Sequence, residues 1–135
     1  MKFPCKQIRL FCSLTQGAYG NANGRFCDGP RRLELITNLL KLPFGNLVIG
    51  KVSATHSITY DSTDAQCIIN RMPAGGPAAI LPNANYTYNG SCIEVPSSPS
   101  LPLKNGRYRN ILLGQTLTLG LNLRLGEANL GGLVL

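Results

Sequence analysis

Ile111-Leu112-Leu113-Gly114-Gln115-Thr116-Leu117-Thr118-Leu119-Gly120-Leu121-Asn122-Leu123-Arg124-Leu125 can be read in two ways, and the choice decides the fold. Leu117, Leu119, Leu121, Leu123 and Leu125 alternate with Thr118, Gly120, Asn122 and Arg124, which is the period of a strand with one buried face. Leucine, however, favours helices and is not β-branched, and Leu113, Leu117, Leu121 and Leu125 also fall four apart, on one helical face. Periodicity alone leaves both readings open. Residues 128–135 are small and apolar and end on Leu133-Val134-Leu135, which reads as a strand that something must cover.

Upstream the local signals are clearer. Over residues 6–15, Ile8, Leu10, Cys12 and Leu14 alternate with Gln7, Arg9, Phe11 and Ser13, predicting a half-buried strand. Residues 16–29 carry Gly17, Gly20, Gly24 and Gly29 with Asn21 and Asn23, and read as an ordered loop of tight turns. In residues 33–41, Leu33, Ile36, Leu39 and Leu40 have helical spacing, with Glu34 early and Lys41 late, where each charge complements the helix dipole. Residues 47–53 and 56–60 read as short strands rich in β-branched residues. A second helix is expected to run through Met72, capped by Thr63 or Asp64, with Ala65, Ile68, Ile69 and Met72 on its apolar face and Cys67 alongside. Pro73-Ala74-Gly75-Gly76-Pro77 ends it, residues 79–81 are apolar, residues 82–85 read as an Asn-rich turn, and residues 96–102 as an ordered polyproline-like crossing. The expected fold class is α+β: a small disulfide-stabilised single domain over residues 1–135, with short strands, two or three helices and exposed strand-like termini.

Composition supports a packed interior. Hydrophobic residues make up 44% and charged residues 14% of 135, the reverse of a disordered chain, and with no Trp the core must be mainly aliphatic. The net charge of +7 raises the question of acidic polymers, but the excess is scattered. Arg31 and Arg32 are adjacent, and Lys104, Arg107 and Arg109 form one loose cluster around Tyr108. Without a nucleic-acid motif beside them, these cations read as solvated surface, and no specific nucleic-acid partner is expected.

Five cysteines in so short a chain point to an oxidising compartment. Spacing does not fix their pairing. Cys12 with Cys27 and Cys67 with Cys92 are the expected bridges, leaving Cys5 near the terminus as a candidate intersubunit thiol. Zinc is disfavoured, since there is no C-x-x-C pair and His56 is the single histidine. Asn85-Tyr86-Thr87 and Asn89-Gly90-Ser91 are sequons in a polar, turn-rich stretch, making Asn85 and Asn89 candidate glycosylation sites. No run reaches the apolar length of a membrane span, and residues 1–5 lack the apolar core of a secretory leader. A secreted chain of this kind is therefore expected to be trimmed or to be a piece of a longer polypeptide.

The run Cys12-Ser13-Leu14-Thr15-Gln16-Gly17-Ala18-Tyr19-Gly20-Asn21 resembles the C-x-L/Y-T-Q-G-x-Y/W-G opening of an uncharacterised module of secreted and cell-surface bacterial proteins, Bacteroidetes-like ones among them. Residues 64–76 and 106–115 look like later landmarks of the same module, although Ala18 stands where the commoner pattern has an aromatic residue. The resemblance implies an extracellular cell-surface location. It also implies a helix for residues 111–125, and that tips the choice left open by periodicity.

Little in the chain suggests catalysis. His56 has no G-x-S-x-G partner motif, bridged cysteines are not nucleophiles, and no phosphate-cradling glycine motif occurs, so no enzyme and no cofactor are expected. Asp61 and Asp64 with Ser62 match no calcium-loop pattern and read as helix-capping groups. What the pattern suggests is a structural module. A strand carrying Ile8, Leu10, Cys12 and Leu14 could complete the open sheet edge of a neighbouring copy, building a filament or lattice, against the plainer reading of an ordinary edge strand. The alternative is a glycan-binding adhesion module, in which a basic face bearing Tyr19, Tyr60, Tyr86, Tyr88 and Tyr108 stacks on sugar rings.

Overall fold

A computed structural model describes residues 13–24 and 30–130. Its elements are α1 (Gln16–Tyr19), α2 (Arg32–Leu40), β1 (Leu47–Lys51), a 3-10 turn (Val52–Ala54), β2 (His56–Tyr60), α3 (Ala65–Arg71), β3 (Ala84–Tyr88), β4 (Glu94–Val95), β5 (Leu103–Lys104), β6 (Arg107–Tyr108) and α4 (Ile111–Leu130). The architecture is α+β, as expected. Cys5, Cys12 and Cys27 lie outside the described residues, and with them the expected Cys12–Cys27 bridge and most of the candidate donor strand.

The main sheet has the order β1-β2-β3-β4. β1 and β2 are antiparallel with Leu47 opposite Tyr60, β2 and β3 are parallel with His56 opposite Ala84, and β3 and β4 are antiparallel. A parallel pair needs a crossover, and the segment holding α3 supplies it between β2 and β3. Leu47 and Ile49 of β1 point inward while Val48 and Gly50 face solvent, the two-residue alternation of a half-buried strand. β5 and β6 form a separate two-stranded hairpin. Its turn residues Asn105 and Gly106 both have positive φ, 54° and 78°, as a type I′ turn demands.

The region 111–125 is helical, in agreement with the resemblance and against the strand period, and α4 continues through Leu130. The strand expected over residues 128–135 is thus displaced by helix as far as Leu130, and residues 131–135 lie outside the described set. Leu113, Leu117, Leu121 and Leu125 are buried, and they meet the aliphatic side chains of α2, α3 and the sheet in one core. Two glycines let α4 approach its neighbours. A Cβ on Gly114 would stand 2.2 Å from Gln16 Oε1 and 2.4 Å from Ala74 Cβ, and one on Gly120 would stand 3.1 Å from Leu47 Cδ1.

Three other expectations are corrected. Residues 16–19 are a helical turn rather than loop, with Thr15 Oγ1 accepting from the Ala18 amide and Tyr19 fully buried beneath it. Residues 84–88 form β3, not a turn, because Ala84 and Tyr86 bury one face while Asn85 and Thr87 face out. Asp64 occupies the N-cap position of α3 without capping it; its carboxylate turns back to accept from the Asp61 amide at 2.9 Å. Asp61 in turn accepts from the Thr63 amide at 2.8 Å, so the pair stabilises a turn.

Long polar side chains on α4 tie the remaining loops down. Asn122 Oδ1 accepts from the Leu14 amide at 2.9 Å and the Tyr19 hydroxyl at 2.6 Å, while Nδ2 donates to the Leu14 carbonyl at 2.9 Å. Arg124 donates to the carbonyls of Leu39, Gly45 and Asn46, closing the end of α2 and the loop that follows. Arg32 is also buried, and its Nε and Nη1 meet no partner among the described residues.

Candidate functional site

An apolar cleft of about 330 Å³ opens between β1, the start of α4 and residues 79–81. Ile49 and Gly50 line one side, Leu112, Leu113 and Thr116 another, and Ile80 and Leu81 a third. Two polar side chains hold the third wall in place. Asn110, just before α4, accepts from the Ala79 amide at 3.2 Å and donates to the Ala79 carbonyl at 2.9 Å, and its Oδ1 also receives the Leu113 amide. His56 Nδ1 lies 2.7 Å from the Leu81 carbonyl and 3.1 Å from that of Pro82; a carbonyl only accepts, so Nδ1 carries the hydrogen. Ile80, on the segment so fixed, is 79% exposed.

His56 therefore lies at the start of β2, an interior strand of the sheet. Its ring braces a wall. The nearby Ser57 hydroxyl is buried and donates to Asn85 Oδ1 at 2.7 Å.

The outer side of β1 carries no further strand among the described residues. Val48 is exposed on β1. On α4, Leu112, Leu119 and Leu123 are exposed in a stripe that runs from the cleft along the helix, with half-buried Thr116 in the same row. The cleft, the edge and the stripe adjoin one another, and no described residue covers the exposed side chains of the stripe.

The five tyrosines expected on a sugar-stacking face do not form one. Tyr19, Tyr60, Tyr86 and Tyr108 are buried and Tyr88 is half-buried. In a chain without Trp these rings are the largest core side chains, and each hydroxyl finds a partner inside. Tyr60 and Tyr108 join hydroxyl to hydroxyl at 2.8 Å, Tyr88 bonds the same Tyr108 hydroxyl, and Tyr86 donates to the Pro99 carbonyl. Burial pushes all of these phenols above their ordinary pKa, so they stay neutral.

Beside the tyrosines, Arg71 grips Glu94 with two bonds, Nε donating to Oε2 at 2.7 Å and Nη2 to Oε1 at 3.2 Å, and its Nη2 and Nη1 also donate to the carbonyls of Cys92 and Gly106. Burial raises the Glu94 pKa, but the bonds from Arg71, from its own backbone and from Tyr88 outweigh that and hold the carboxyl below its usual range. The Cys67–Cys92 bridge ties α3 to the same loop, and it is one of the two expected.

The other predicted positions are dispersed. Lys104, Arg107 and Arg109 gather on the β5–β6 hairpin, facing the turn at Pro73–Gly76. Asn85 projects from β3, accepting from Ser57 and donating to the Val52 carbonyl, and Asn89 Oδ1 accepts from the Ser91 and Ile93 amides; both side chains are on exposed residues. Leu14, the one candidate donor-strand residue described, is outside any strand, with its amide and carbonyl both engaged by Asn122. No group of three His, Cys, Asp or Glu side chains suited to a metal occurs among the described residues.

Fold and site together define a small disulfide-bonded α+β domain with an apolar cleft beside its β1 edge strand. Among the described residues no helix is long and apolar enough to cross a membrane. No protein-family model, curated protein or solved structure matches the chain.

Proposed function

We propose that this protein is a non-catalytic structural module of a bacterial exterior that assembles copy to copy by strand addition. The outer edge of β1 is the acceptor, and residues 6–12 of a neighbouring copy, carrying Ile8, Leu10 and Cys12, are the donor. Leu14 stays with its own subunit, so the donor is shorter than the sequence alone suggested. The observation that carries the reading is the pairing of an edge that bears no further strand among the described residues with the apolar cleft beside it. An added strand completes the hydrogen-bond ladder along β1, while every second side chain enters the space between Ile80 and Leu112. Edge strands that must stay monomeric carry charges or proline; in β1 Val48 is exposed instead, with Lys51 alone as a charge. The disulfide supports an oxidising exterior, as does the resemblance of residues 12–21 to secreted surface modules.

Light scattering and negative-stain microscopy on three proteins test this. The intact chain should assemble. A chain lacking residues 1–11 keeps the acceptor without the donor, and Val48→Lys keeps the donor while placing a charge on the acceptor edge. Each should be monomeric alone, and the two mixed should form one-to-one pairs. An intact chain that stays monomeric at every concentration overturns the proposal. Assembly that survives both changes but is lost in Leu119→Lys also overturns it, moving the contact to α4.

A further inference from the structure

The cations on the β5–β6 hairpin are arranged in a way that the rest of the fold does not explain. Lys104 and Arg107 are directly opposed across the two-stranded ladder, and like charges so placed repel. Arg109 follows Arg107 by two residues, the spacing that returns an extended chain to the same side. All three line a cleft of about 280 Å³ whose other wall is the turn at Pro73–Gly76, and no carboxylate lines it. Among the described residues the one ion pair is Arg71 with Glu94, so these three charges have no counterpart within the described fold.

The frame around them is rigid. The type I′ turn at Asn105-Gly106 fixes the hairpin, Arg71 Nη1 donates to the Gly106 carbonyl at 2.8 Å from below, and the Arg109 amide bonds the Pro102 carbonyl at 2.9 Å. Across the cleft the Gly75 amide bonds the Tyr108 carbonyl at 2.9 Å. Gly76 has φ +78°, and a Cβ there would stand 2.7 Å from Arg109 Cγ, so the turn presses directly on the Arg109 stem. Beside Gly75 the space is open. Clustered cations without a counter-charge on a hydrogen-bonded backbone frame offer a site for a tetrahedral anion, because the backbone that carries them needs no reordering when it binds.

We propose that this cleft binds a tetrahedral oxyanion, a sulfate or phosphate group, held by Lys104, Arg107 and Arg109. The volume exceeds that of a bare ion and leaves room for the group that carries it. Nucleic acid is disfavoured as the carrier, since the one ring in the cleft, Tyr108, is buried and offers no stacking face. The proposal does not depend on assembly.

The intact protein is titrated with inorganic sulfate, inorganic phosphate, a sulfated disaccharide and its unsulfated counterpart, read by amide chemical shifts in about 0.1 M salt. Saturable shifts should appear at Gly75, Gly76, Arg107 and Arg109 with the anions and not with the unsulfated sugar. Tighter binding of the sulfated disaccharide than of sulfate assigns the site to an ester on a glycan; equal binding keeps the site and assigns it to the free ion. Lys104→Gln and Arg107→Gln, both at exposed positions, should each weaken binding about tenfold, while Lys41→Gln, which removes the same charge elsewhere, should not. Absence of saturable shifts with any anion overturns the proposal. Equal weakening by Lys41→Gln does so too, because the attraction would then be to net charge alone.

Discussion

Replacing the Cys67–Cys92 bridge tests how far one covalent link holds this domain together. The two residues are separated by 25 positions, and the chain-entropy model assigns closure of such a loop about 3.5 kcal/mol at room temperature. For a domain of 135 residues the unfolding entropy is about 0.28 kcal/mol per kelvin near the melting point, so the double variant Cys67→Ala/Cys92→Ala should melt about 12 °C lower. Position 92 adds a second, separable effect. Cys92 has φ 58°, a left-handed conformation that costs a side-chain-bearing residue about 1 kcal/mol and glycine very little. Cys67→Ala/Cys92→Gly should therefore retain about 1 kcal/mol more than the Ala pair.

Urea unfolding, followed by circular dichroism, measures both differences. The m-value should rise in both variants, because an uncrosslinked unfolded chain exposes more surface. The native contacts should persist, since Arg71 still joins Glu94 and the carbonyl at position 92. A loss below about 1 kcal/mol, or an m-value that does not rise, would refute the closure argument. An Ala variant as stable as the Gly variant would refute the backbone argument.

Two further outcomes follow from α4 and from Glu94. Gly114→Ala and Gly120→Ala both gain about 1 kcal/mol of helix propensity, yet they should diverge in thermal unfolding. At 114 the new methyl would collide with Gln16 Oε1, which accepts from the Ala74 amide, and should cost about 2 kcal/mol net; at 120 it meets the movable tip of Leu47 and should change stability by less than about 0.5 kcal/mol. Equal effects at both sites would contradict the packing described. Burial alone would raise the Glu94 pKa, but the Arg71 bonds hold it below the ordinary carboxylate range, so its stabilisation is complete above that range and is lost as pH falls from it through the folded value. Asp64 opposes it: burial raises its pKa, so its share of stability grows as pH falls. Glu94→Gln should flatten the acid limb of the pH–stability curve, and a limb as steep as the parent's would remove Arg71–Glu94 as its source.

What sequence revealed and what it concealed have physical causes. α2, α3 and β2 were legible because their apolar spacing matches their period over enough residues. β3 was hidden by composition: Asn85, Thr87 and two tyrosines look like a polar turn, although Ala84 and Tyr86 fall on one side of a two-residue alternation. The tyrosines misled for the same reason. A ring with a hydroxyl suggests a wet surface, and only the mutual bonds of Tyr60, Tyr88 and Tyr108 make it a core residue, which no local pattern records. The β5–β6 hairpin went unread although Asn105-Gly106 is a strong turn signal, because the two-residue strands flanking it are too short to show a period. Lys104, Arg107 and Arg109 were visible as a cluster, but their cleft needs the Pro73–Gly76 turn, brought there by tertiary packing. Asn122 gave no sign of itself within a leucine run, yet it fixes Leu14 and Tyr19.

The strand-like alternation of Leu117 through Leu125 has an explanation that bears on function. A helix with one apolar face repeats every 3.6 residues, but a helix with two opposite apolar faces repeats about every 1.8, close to the two-residue period of a strand. α4 is such a helix. Leu117, Leu121 and Leu125 are fully buried against the core, while Leu119 and Leu123, on the other side, are 58% and 40% exposed. An isolated exposed leucine is ordinary, but a row that begins at Leu112 and Thr116 is a second packing face. Leu112 and Thr116 also line the cleft with Ile49 and Gly50, so this outer face and the open β1 edge converge on one place. The feature that made the segment resemble a strand is thus its pair of opposite apolar faces, one packed into the core and the other exposed, whose Leu112 end borders the cleft that receives the donor in the assembly proposed above.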